Sequence, residues 1–141
     1  MSAEVVFVDT NVLVYLFDAD APRKQVRARA VLNEVADSAI VSTQVLGEFH
    51  VAVTRKLARP LAFEQARAAV EALCELRVRP IHEGLVRAAI RRSQASHLSY
   101  WDALIVETAI EAEAAVLLTE DMQDGQQFGG MRVANPFLQA A

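Results

Sequence analysis

Four carboxylates stand where a chain of alternating strands and helices could gather them. Asp9 directly follows the apolar run Val5–Val8, inside "VVFVDTNVLVYLF". Asp121 follows a second apolar run, Ala115–Thr119, with Glu120 between. Glu48, in "STQVLGEF", and Asp102, in "LSYWDALIVETA", fall near the starts of helical stretches. Sites in open parallel sheets form beyond the carboxyl ends of the strands, and helix starts can reach that same edge. Carboxylates that converge repel one another, and a hard divalent cation removes the conflict. A ligand set of oxygens alone suits Mg²⁺ or Mn²⁺ over Zn²⁺. Such an ion activates water and neutralises charge on a phosphodiester. The chemistry implied is metal-assisted hydrolysis without a side-chain nucleophile, and no Ser-His-Asp or Cys-His arrangement competes with it.

Each acid also has a plainer reading. Carboxylates at helix starts cap the chain and favour the helix dipole, and Asp9 could simply cap the segment after it. Helical phase separates the cases. At about 100° per residue, Ile105 and Ala109 fall on one side of Asp102 and Val106 and Ile110 on the other. Asp102 therefore points along the middle of an apolar arc, where a bare carboxylate is costly. Glu48 lies off the stripe Leu46, Phe49, Val53 and Leu57. Phase leaves it open as a solvent-facing partner of Arg55. Thr10 and Asn11 beside Asp9, and Thr119 before Asp121, could orient those carboxylates or serve as turn and cap residues. Asp124 reads first as a turn residue before Gly125, with a metal-supporting role as the weaker option. His50, His82 and His97 lie far apart in the chain and read as surface or packing residues. Cys74 sits among helix formers and reads as a core residue.

The elements that must hold these groups follow from hydrophobic period and punctuation. Val5–Val8 reads as a buried strand and Asn11–Phe17 as a short helix. A longer helix, Pro22–Ala36, has proline in its first turn. Ser38–Ser42 contains a second strand. Thr43 is expected to cap a helix running to about Arg59, stopped by Pro60. Helix Phe63–Leu76, strand Val78–Ile81 and helix His82–Ala95 follow. Ser96 or Ser99 caps a helix over Tyr100–Ala114, and Ala115–Thr119 is a buried strand. Glu120–Gly130 reads as a loop, and Met131–Val133 as a last edge strand. Strands alternating with long helices imply βαβ units and a mostly parallel sheet.

The chain has 141 residues, of which 53% are hydrophobic, and 5 glycines and 4 prolines. That suits a single domain over residues 1–141 with one core. No membrane span and no signal peptide are visible in it, and the single cysteine fits a reducing cytoplasm. The net charge of −4 argues against a sequence-blind nucleic-acid binder. Yet all but two of the 14 basic residues are arginine, the better partner for phosphate. They gather as Arg23, Lys24, Arg27 and Arg29; as Arg55, Lys56 and Arg59; and as Arg87, Arg91 and Arg92. Each group also reads as a solvated helix face.

Taken in order, "VFVDTNVLVYLF", "STQVLGEF", "LSYWDALIVETA" and "LLTEDMQDG" resemble the four acidic motifs of the PIN-domain family. They are most similar to its VapC-like toxins from bacterial type II toxin–antitoxin pairs, and the ending "VANPF" resembles theirs too. The resemblance implies a three-layer α/β/α sandwich and an endoribonuclease that uses Mg²⁺ or Mn²⁺ on RNA. It implies that Asp9, Glu48, Asp102 and Asp121 hold the metal, with Thr10, Asn11 and Thr119 in support. It further implies a homodimer and inhibition by a cognate antitoxin protein. Two other readings stand beside it. A phosphoacceptor signalling domain would want adjacent acids after the first strand and a late lysine, whereas Asp9 stands alone and the lysines are Lys24 and Lys56. A non-catalytic RNA- or protein-binding module would keep the fold without needing the acids.

Overall fold

The computed structural model describes residues 4–138, so both ends of the expected 1–141 domain lie outside the described residues. Short apolar runs form the centre of the fold. Val6–Val8 (β1), Ala39–Ser42 (β2) and Val116–Leu118 (β4) are buried on both faces, as strands covered by helices on either side must be. The sheet has six strands in the order β3-β2-β1-β4-β6-β5, with β3 at Arg77–Arg79, β5 at Gln127–Phe128 and β6 at Met131–Ala134. Every pairing is parallel except β5 with β6. From β1 the chain builds outward first through β2 and β3, then returns to add β4 on the other side. The adjacent carboxyl ends of β1 and β4 are therefore a topological switch point, where open α/β sheets form their crevice.

Helices flank this sheet: α1 (Thr10–Val14), α2 (Pro22–Val35), α3 (Thr43–Val51), α4 (Phe63–Leu73), α5 (Glu83–Ala95) and α6 (Tyr100–Glu111). The main core joins Phe7, Leu13, Phe49, Ile105 and Leu117, all nearly inaccessible to solvent. A smaller cluster of Leu85, Ala89, Ala103 and Leu104 joins α5 to α6. None of the described helices is long and apolar enough to cross a membrane.

Five expectations need correction. Ser42, not Thr43, caps α3: its hydroxyl accepts from the Val45 N–H at 3.2 Å, while the Thr43 hydroxyl accepts from the Ile81 N–H at 3.1 Å. The helix after Thr43 does not run regularly to Arg59. It widens into a π-turn at Ala52–Lys56 and ends at Leu57, whose backbone is extended. The strand Met131–Ala134 is not at the edge, because the stretch expected to be a loop contributes β5 outside it. That pair is a tight hairpin turned at Gly129, with φ +61, a conformation that glycine adopts without strain. The strand expected at Val78–Ile81 is Arg77–Arg79. Cys74 is exposed: α4 stops at Leu73 and leaves its capping residue on the surface.

Candidate metal centre

The site begins where β1 ends. Val6–Val8 carry no polar side chain, so the chain leaves the sheet with its first carboxylate still inside the protein, and Asp9 is only 4% exposed. Asp9 caps α1, its Oδ1 accepting from the Thr10 N–H at 2.7 Å. Its Oδ2 accepts from the Thr119 hydroxyl at 2.8 Å and from Asn11 Nδ2 at 3.4 Å. Thr119 is the first residue beyond β4, so this hydrogen bond ties the two strand ends together. Burial pushes the Asp9 carboxyl up to about 7; the hydrogen bonds from Thr119 and Thr10 hold it back, and the negative charges of Asp121 and Glu48 add to the rise.

Asn11 is the hub of the polar network. Its Nδ2 donates to Thr119 Oγ1 at 3.1 Å and to Asp121 Oδ2 at 3.0 Å, while its Oδ1 accepts from the Glu120 N–H at 3.2 Å. The Asp121 N–H donates to Thr119 Oγ1 at 3.1 Å. The loop after β4 is thus fixed to α1 from both sides, and Asp121 is exposed at its tip.

Glu48 comes from the middle of α3. It does not pair with Arg55. Its Oε1 accepts from the Thr10 hydroxyl at 2.7 Å and its Oε2 from Gln44 Nε2 at 3.1 Å. Asp102 sits in the first turn of α6, where the Ser99 hydroxyl caps the helix by accepting from the Asp102 N–H at 3.1 Å. Its carboxyl is half-buried and raised, first by burial, then by the charges of Asp121 and Glu48. The four acids thus come from four separate segments and repel through Asp121 and Glu48. Asp124 is not brought to them; its Oδ1 accepts from the Asn135 N–H at 2.7 Å and braces the loop against the chain after β6.

Thr10, Asn11, Glu48 and Asp121 open onto a cleft of about 1120 Å³, with Asp9 beneath them. Its remaining wall includes Val14, Val51, Ile81, Trp101 and Leu104, with Lys56 at one side. Spacing along the sequence gave no signal for Trp101. Gln44 could have been found, since it lies one helical turn before Glu48, the offset at which helix side chains meet. Half of the arginines in the three groups are engaged elsewhere. Arg59 pairs with Asp20, Arg87 with Glu83 and Arg92 with Glu107, and Arg27 Nε donates to the Pro136 carbonyl at 2.8 Å. His82 caps the start of α5 and contacts Glu111 at 2.7 Å; His50 and His97 are exposed.

The donor set suits a hard cation: all oxygen, with one deeply buried carboxyl that burial raises to about 7. Among the described residues, however, no three Asp, Glu, His or Cys side chains stand as a ready ion cage. Oxygens of Asp9, Glu48 and Asp121 accept instead from Thr10, Asn11, Thr119 and Gln44. Residues that would hold an ion are Asp9, Glu48, Asp102 and Asp121.

The family model for the PIN domain matches residues 6–123. A comparison with curated proteins finds no match. Among solved structures, the chain is similar to a toxin–antitoxin complex from Klebsiella pneumoniae, with TM-score 0.70 and 22% identity, covering 94% of this chain and 98% of that one. It is similar to VapC20 from Mycobacterium tuberculosis, described as a sarcin–ricin loop cleaving toxin, with TM-score 0.64 and 20% identity over 79% of this chain and 86% of that one. It is also similar to VapBC2 from Rickettsia felis bound to promoter DNA, with TM-score 0.64 and 16% identity over 93% of this chain and 98% of that one. At these identities the likeness is one of fold.

Proposed function

The chain belongs to the PIN domain family, and on that premise we propose that it is an endoribonuclease dependent on Mg²⁺ or Mn²⁺, acting in the cytoplasm as the toxin of a toxin–antitoxin pair. The observation that carries this reading is Asp9. A carboxyl 4% exposed, with the charges of Asp121 and Glu48 acting on it, is electrostatically strained. An enzyme gains from such a group when the cation that relieves it also does the chemistry.

Asp9, Glu48, Asp102 and Asp121 are the residues that would hold the ion. When bound, the ion supplies activation of water and neutralisation of charge on the phosphodiester. The chain's own contribution is orientation. Thr119 and Asn11 fix the Asp9 carboxylate, Asn11 sets the position of Asp121, and the Thr10 hydroxyl aims Glu48. The apolar cleft wall excludes water from one side of a bound strand. Toxin–antitoxin complexes among the structural neighbours support an antitoxin as a partner that covers this cleft. A homodimer is part of the same proposal.

A non-catalytic binding module is the second reading. One observation favours it: Asp9, Glu48 and Asp121 already accept hydrogen bonds from neutral donors, and no ready cage stands among the described residues. Cleavage separates the two. Wild type with Mn²⁺ is expected to cut single-stranded RNA, and Asp9→Asn is expected to lose at least about a hundredfold in rate while keeping its fold, measured on end-labelled RNA and by circular dichroism. Equal cleavage by the variant would remove Asp9 from the chemistry. Absence of cleavage by wild type, with any divalent ion and across RNA types, would leave the binding module.

A further inference from the structure

An aromatic ring beside the acids has no role in the chemistry described above. Trp101 is 60% exposed, immediately precedes Asp102, and lines the same cleft as Glu48 and Asp121. Exposed tryptophan is costly, since its large apolar area prefers burial. The ring is nonetheless held in place. Tyr100 packs edge-on against it, with centroids 4.9 Å apart at 72°. The Trp101 carbonyl accepts from Gln44 Nε2 at 3.2 Å, and the same amide donates to Glu48 Oε2 at 3.1 Å. One side chain thus joins the aromatic wall to a candidate metal-holding acid. The Oε1 of that amide is buried and has no donor among the described residues.

Resting on the nuclease reading above, we propose that Trp101 is a stacking platform for a nucleobase of the RNA strand next to the phosphodiester that is cut. Charge favours this occupant's mode of binding. The protein carries a net charge of −4, and among the described residues Lys56 is the one basic residue lining the cleft. Attraction to the phosphate backbone is therefore weak, and a sequence-tolerant contact has to make up affinity. Stacking of a base on an aromatic face does this at roughly tenfold to a hundredfold per base. Gln44 ties the Trp101 backbone to Glu48, which sets the helix turn that carries the ring in register with the acids.

Trp101 is the only tryptophan, so its emission reports this position alone. The protein, stripped of metal with chelator to prevent cleavage, is titrated with a fluorescein-free single-stranded oligoribonucleotide. A labelled copy followed by anisotropy reports binding in parallel. Quenching that tracks binding is expected. In cleavage assays, Trp101→Ala is expected to raise KM about tenfold or more with kcat within about threefold, and Trp101→Phe to keep KM near wild type. Binding without any change in emission, as when the ring instead serves a protein partner, would overturn the proposal. So would a wild-type KM in Trp101→Ala. Failure of wild type to cleave RNA is a separate result that strikes the nuclease reading, while the titration still decides whether a base meets Trp101.

Discussion

Asp9 concentrates the energetics of the site at a single residue. Its carboxyl titrates at about 7 in the fold, against 3.8 when unperturbed. Between those values the native state holds a proton that the unfolded chain has released. The contribution is therefore fully present at acid pH, is lost as pH rises toward about 7, and stays lost above it. At about 1.4 kcal/mol per unit the metal-free protein loses a few kcal/mol over that window from this group. Asp102, raised in the same direction, adds to the slope. Asp9→Asn is expected to flatten the decline in urea midpoint from about pH 4 to about pH 7 in chelator; profiles that run parallel to wild type would contradict the burial argument. Residue types were the most legible part of the site. Asp9 and Asp102 stand out because each interrupts an apolar pattern. Glu48 does not, because its partner Thr10 is 38 residues away, and no local phase reveals a contact of that kind.

Caps and turns decide which way each acid faces at the element scale. Ser99 fixes the first turn of α6, on which Asp102 sits. Ser99→Ala is expected to lower stability by about 1 kcal/mol, as loss of such a cap does, and to lower cleavage more than Ser42→Ala, which removes a comparable cap on α3 two turns from Glu48. Paired denaturation curves and initial rates would check this; equal losses of activity would show that the caps act only through stability. Helices were readable from their apolar period, and α2, α5 and α6 begin or end within a few residues of expectation. What escaped the sequence was short or irregular. β5 has two residues, too few to show alternation. The π-turn at Ala52–Lys56, with Val53 buried in the core, keeps an ordinary helical composition and so shows no local signal. Cys74 reads as core by type, but the end of α4 turns it outward.

For the whole molecule, the decisive fact is strand order. Alternating elements imply a parallel sheet, yet the β3-β2-β1-β4-β6-β5 order, and with it the meeting of Asp9 and Thr119 at one crevice, depends on long-range pairings. The likeness of four motifs to those of a family stood in for that missing information. Charge also acts at this scale. Arginine clusters look like a phosphate-binding surface, but Arg59, Arg87 and Arg92 pair with acids of the same chain. RNA binding is accordingly expected to depend weakly on salt, with a log–log slope no steeper than about −2, which corresponds to two or three phosphate contacts at about −0.7 each. A slope several times steeper would return the arginines to the interface. The central claim is that acids distant in the chain accept a shared divalent ion in one pocket, and differential scanning calorimetry with and without Mn²⁺ tests it most directly. An ion at a hundred times its dissociation constant stabilises the native state by about 2.7 kcal/mol, so wild type is expected to melt several degrees higher with Mn²⁺ while Asp9→Asn stays unchanged. An equal shift in both proteins, or none in wild type, would contradict the account.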